Sequence, residues 1–166
     1  MIIASCEQKN KESKEPQQAE QTEEIAVNTK VSEQVLTQIA ESNLKIVAIA
    51  QKAQEGKMSK QTRTILEEIE KNHLQLKNKI RKIAKDNFII IPNTLYDTST
   101  IKNFIDEMST KLYLKKLENS LLLELELYTS INATTQNKDL KTLTQAVIPN
   151  IKKDISIIKE EEKQLQ

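Results

Sequence analysis

An all-α bundle is the fold the sequence predicts, from three features: scarce helix breakers, apolar residues at helical spacing in four segments, and short polar links between most of them. The 166-residue chain holds one Gly and three Pro. Leu, Ile, Lys, Glu and Gln dominate, and these lose little rotamer freedom in a helix. Two parts follow: a polar stretch, residues 1–30, and a bundle domain, residues 31–166. The bundle is long enough to bury a core without metal or disulfide staples.

The first helix is predicted from about Ser32 to Gln54, with Val35, Leu36, Ile39, Ala40, Leu44, Val47, Ile49 and Ala50 at helical spacing. Gly56 is expected to end it by reaching left-handed backbone angles. Ser59 is the expected N-cap of a second helix running to about Asp86. Its seam is Ile65, Leu66, Ile69, His73, Leu76, Ile80 and Ile83, and from Leu66 the steps alternate three and four, the heptad rhythm of left-handed helix packing. The basic run Lys77 to Lys85 reads first as a solvated helix end that complements the dipole, and second as a patch for membrane headgroups. Phe88-Ile89-Ile90-Ile91-Pro92 is too short for a sheet and is expected to lid one end of the core.

Asp97 or Ser99 should cap a third helical region with a break near Met108-Ser109-Thr110. Its long part carries Leu112, Tyr113, Leu117, Leu121, Leu122, Leu125, Tyr128 and Ile131. Asn132 to Asn137 reads as a loop. Asp139 should cap a fourth helix to about Lys163, with Leu140, Leu143, Val147, Ile151, Ile155 and Ile158 inward and a kink or break at Pro149. Four amphipathic helices arranged this way read as an up-down-up-down four-helix bundle.

Composition excludes several function classes. Aromatics are few (two Phe, three Tyr, no Trp) and the net charge is +1, so nucleic acid has neither a stacking surface nor an electrostatic footprint. A single Gly cannot build a phosphate-cradling loop. One His and one Cys leave little material for catalytic dyads or zinc sites. The expectation is therefore a protein that is not an enzyme.

The lone Cys6 ends Ile3-Ala4-Ser5-Cys6, which resembles the bacterial lipobox: an aliphatic residue and two small ones before a lipidated Cys. Glu7 to Glu24 is rich in Glu, Gln and Lys and too polar to bury a core, so a disordered tether is expected. Only Met1 to Ser5 stand before the Cys, so the charged and apolar regions of a secretory signal are incomplete. The plain alternative is a free thiol. A lipid at Cys6 would make the membrane a partner and place the chain in the bacterial cell envelope, at the outer membrane or the periplasmic face.

Glu70-Lys71-Asn72-His73 has the form Glu-x-x-His, whose two ends share a helix face. Di-iron bundles use two such motifs, and the single His allows one. A mononuclear or degenerate site for iron, zinc or manganese could join Glu70 and His73 to inward carboxylates, for which Glu124 and Asp154 are the candidates. The bland reading is a hydrogen-bonded core histidine. Tyr113 and Tyr128 read as core residues with their hydroxyls at the bundle surface.

From Val31 onward the layout resembles the bacterial family called domain of unknown function 4142 (DUF4142), whose members are often called outer-membrane proteins. The resemblance rests on Ala40-Glu41-Ser42-Asn43-Leu44, Asn72-His73, Ile91-Pro92, Met108-Ser109-Thr110 and Ile148-Pro149-Asn150-Ile151. It implies a ferritin-like bundle and supplies no activity. Relatives tend to carry an acid where Ile46 stands here, a His near Leu121 and a His at Asp154, so at most His73 and Asp154 remain of such a polar cluster. The leading expectation is a non-enzymatic envelope lipoprotein whose bundle binds another envelope protein or itself. The alternatives are the metal or redox site at His73 and a carrier of apolar ligands near the Phe88–Ile91 lid.

Overall fold

The computed structural model describes residues 30–91 and 107–165. Four helices make up these residues: α1 (Glu33–Gln54), α2 (Lys60–Asp86), α3 (Glu107–Thr134) and α4 (Lys138–Gln164). The expected all-α four-helix bundle is present. Cys6, the tether, the Asp97 or Ser99 cap and a short helix before Met108 lie outside the described residues.

Packing pairs α1 with α2 and α3, and α4 with α2 and α3. Every packed pair is antiparallel. Arg63 near the start of α2 donates to the Gln54 carbonyl at the end of α1, at 2.8 Å. Thr110 near the start of α3 donates to the Lys57 carbonyl after α1, at 3.2 Å. Gln61 reaches Glu161 near the end of α4, at 2.9 Å. The starts of α2 and α3 thus share one end of the bundle, so these diagonal helices run the same way. Directions along the chain read up, down, down, up, where strict alternation was expected. The number of residues between α2 and α3 permits this: 20 residues at ~3.3 Å each can reach up to ~65 Å, more than the ~40 Å of α2. Four-helix bundles accommodate one or two long crossover connections.

The caps follow local chemistry. Ser32 and Ser59 accept from Val35 N–H and Thr62 N–H, as capping side chains do. Asn137, not Asp139, caps α4: its side-chain oxygen accepts from Asp139 N–H at 3.0 Å and Leu140 N–H at 3.1 Å. Asp139 sits instead in the first turn, where its charge suits the helix dipole. Gly56 is not left-handed. It is buried, and Arg63 spans it, donating to the carbonyls of Gln54 and Gly56 and satisfying orphan groups at the end of α1. Pro149 sits inside α4 without ending it.

The core joins all four helices. The α2 seam is as expected, with Leu66, Ile69, His73, Leu76 and Ile80 buried and Ile65 and Ile83 half-buried. The α4 residues expected inward are all buried. In α3 the expected face is shifted: Leu112 is 66% exposed and Leu122 39%, while Leu114 is fully buried. The connector lids only with alternate residues. Ile89 and Ile91 pack against the core, whereas Phe88 and Ile90 point to solvent.

The end of α2 is a Schellman turn with an unusual occupant. Ile89 N–H donates to Ala84 C=O at 2.8 Å and Phe88 N–H to Lys85 C=O at 3.1 Å. The position between Asn87 and Ile89 must be left-handed, and Phe88 holds φ at 58°. A side chain there costs ~1–2 kcal/mol that glycine avoids. Phe88→Gly is therefore expected to stabilise the fold by about 1 kcal/mol, read as a raised midpoint in urea denaturation. A midpoint lower than that of the unsubstituted protein would contradict the assignment of strain.

Candidate functional site: a buried histidine–carboxylate cluster

His73, Glu124 and Asp154 come from α2, α3 and α4, and all are buried, Glu124 completely. Each lies in its helix's apolar seam, which is why the bundle brings them together. His73 Nδ1 donates to the Ile69 carbonyl one turn earlier, at 2.8 Å. Nε2 donates to Glu124 Oε2 at 3.0 Å. With an acceptor at each nitrogen, the protonated ring is the form these contacts favour. Burial alone would lower the His73 pKa. The hydrogen bond and charge of Glu124, the Ile69 carbonyl and the charge of Asp154 outweigh it, and the pKa is raised.

Asp154 forms no hydrogen bond or ion pair among the described residues. Burial pushes its carboxyl up to about 6 against the pull of His73, with Glu68 and Glu124 adding repulsion. It lines a cleft of about 70 Å³ between α2 and α4, with His73, Asn72, Gln75, Lys79 and Asn150 among its walls. A wider recess of about 340 Å³ continues toward Asp86 and Asp139 over Ile83, Leu143 and Ala146.

Two oxygens beside the cluster lack partners: Glu124 Oε1 and the Tyr128 hydroxyl, one turn apart on α3. Tyr128 is fully buried, so its hydroxyl is not at the surface as expected. Burial, then the charge of Glu124, pushes that hydroxyl well above its ordinary range. The Asn43 amide on α1 is likewise buried and unpartnered.

The sequence-predicted residues divide. Glu124 and Asp154 converge on His73, but Glu70 does not. It turns to α1, where Gln51 and Gln54 each donate to its carboxylate at 2.7 Å. Among the described residues, no three or more His, Cys, Asp or Glu side chains are grouped to hold a metal ion. Sequence reasoning missed Glu161, which is buried and accepts from Thr62 Oγ1 at 2.5 Å and Gln61 Nε2 at 2.9 Å. Its position one turn beyond Ile158 was the available signal. No family profile, curated protein or solved structure matches the chain.

Two tests follow from the cluster. Glu124→Ala leaves Nε2 unpartnered in the core, so the His73 pKa should fall and stability should drop by roughly 1–3 kcal/mol in chemical denaturation. The second concerns pH. The folded state holds the Asp154 proton to a higher pH than the unfolded chain, so its contribution is lost as pH rises from 3.8 toward 6. The raised His73 pKa gives a contribution fully present below 6.5 and lost as pH rises through the folded value. Melting temperature should thus fall as pH rises from about 4 to above 6.5, and Asp154→Asn should remove the part between pH 3.8 and 6, worth up to about 3 kcal/mol. A variant profile identical to that of the parent would refute this assignment to Asp154.

Proposed function

We propose that the chain is a non-enzymatic protein of the bacterial cell envelope, held to a membrane by a lipid at Cys6, with the bundle as an interaction module for another envelope protein or for itself. The observation that carries this reading is Ile3-Ala4-Ser5-Cys6 followed by a polar spacer and then a folded domain. No helix among the described residues is long and apolar enough to cross a membrane. The resemblance to the domain of unknown function 4142 family, carried by the motifs in order, and the four-helix architecture both support this reading.

The alternative, an iron, zinc or manganese site at Glu70, His73 and Asp154, has one observation in its favour, the approach of Asp154 to His73. Two weigh against it: Glu70 faces α1, and Glu124 already occupies Nε2. Metal bound only by the folded form must raise the melting temperature, so titration with each ion measures it directly.

The anchor makes a clear prediction. Protein extracted from its native envelope should carry an acyl mass at Cys6, and Cys6→Ser should move it from the membrane fraction to the soluble fraction. An unmodified thiol on native protein would end the lipoprotein reading.

A further inference from the structure

One end of the bundle combines two features that folding does not call for. Phe88 is 96% exposed and Ile90 84%, the most exposed large apolar side chains among the described residues. They alternate with Ile89 and Ile91, which pack inward, so the segment presents one apolar edge to the core and one to solvent. Neither hydrophobic burial nor backbone preference favours Phe at position 88: its ring is out in water, and its left-handed φ of 58° suits glycine. An outlier of this kind points to a role outside the fold.

Cations surround this apolar tip. Lys79, Lys82 and Lys85 are exposed on the last turns of α2, and Lys138 is exposed at the start of α4, which lies beside them. Lys30, the first described residue, is exposed just ahead of α1, whose first turns meet the last turns of α2. The acids at this end are Glu33, Asp86 and Asp139, and Asp86 is paired with Lys82 at 2.6 Å. The opposite end mixes its lysines with Glu55, Glu160, Glu161 and Glu162.

We propose that this end docks on an anionic lipid surface, with Phe88 and Ile90 entering the headgroup–acyl boundary and Lys79, Lys82, Lys85 and Lys138 facing lipid phosphates. Two apolar side chains at one tip suit the ~5–10 Å depth of that boundary. They fall far short of the ~800 Å² per partner of a stable protein interface. Each lysine near such a surface adds attraction that salt screens. Geometry agrees, because the chain outside the described residues joins the bundle at Lys30, on this same end. The docking surface does not require the lipid at Cys6 and is testable without it.

The test uses full-length Cys6→Ser protein, which carries no acyl chain, and sedimentation with two kinds of vesicle. Phosphatidylcholine mixed with phosphatidylglycerol should bind it, and pure phosphatidylcholine should bind far less. Phe88→Gly with Ile90→Ser should weaken binding by roughly ten-fold while melting no lower than the parent. Lys82→Glu with Lys85→Glu should weaken it too, and rising salt should do the same. Absence of binding to the anionic vesicles overturns the proposal, as does binding unchanged by the apolar double substitution. Capture of a protein through Phe88 and Ile90 with no affinity for lipid also overturns it, in favour of a protein interface. Acylation is read separately, from the mass of native protein, so failure of the docking surface and failure of the anchor are distinct outcomes.

Discussion

A charge pair at the centre of the bundle sets the terms for three of its helices. Protonated His73 has two N–H donors buried in the core, and both find acceptors there. One is the Ile69 carbonyl of its own helix, and the other is Glu124 of α3. Asp154 of α4 faces the same ring. Sliding any of these helices by one turn, ~5.4 Å, would strand a buried charge at a cost of several kcal/mol. Leucine-rich seams tolerate such slips better, because one apolar side chain replaces another with little loss of area. The pair is thus better understood as fixing alignment than as adding net stability, since an apolar core of equal volume is often as stable.

How much of this was legible in the sequence depended on how sharply each helix separates its faces. The α2 heptads mark one stripe, and the buried residues follow it, His73 included. The α4 seam is equally legible and carries Asp154. In α3 leucines occur on every side, at 112, 114, 117, 121, 122, 123, 125 and 127. Periodicity alone could not choose among them, so Leu112 was assigned inward and Leu114 passed over. Helix direction was beyond the pattern as well, because short-range spacing says nothing about where a long connection carries the chain.

The left-handed Phe88 was illegible for a different reason. A glycine at that position would have announced the Schellman turn, but a phenylalanine in an apolar run suggests a buried lid. Only the backbone hydrogen bonds of Ile89 and Phe88 reveal the turn, and with it the outward ring. Buried Glu161 was hidden in the same way by the acidic run around it, Glu160 to Glu162.

Polar contacts cross three of the seams, with Gln51 and Gln54 of α1 on Glu70 of α2, Lys159 of α4 on Glu118 of α3, and a series between α2 and α4. Along α2 and α4 they recur through the length of the contact: Thr62 and Gln61 with Glu161, Glu68 with Lys153 at 3.3 Å, His73 beside Asp154, and Lys82 near Asp139. The cleft beside His73 and the wider recess next to it both lie on this seam. Local opening favours regions with few buried apolar contacts and solvated polar ones. Asp154 is the group that any parting of the α2–α4 seam would hydrate. The other two seams of these helices, α1 with α2 and α3 with α4, join chain neighbours through short links and are the more extensive. The two hairpins, α1 with α2 and α3 with α4, thus meet along two seams, α2–α4 with its series of polar contacts and α1–α3.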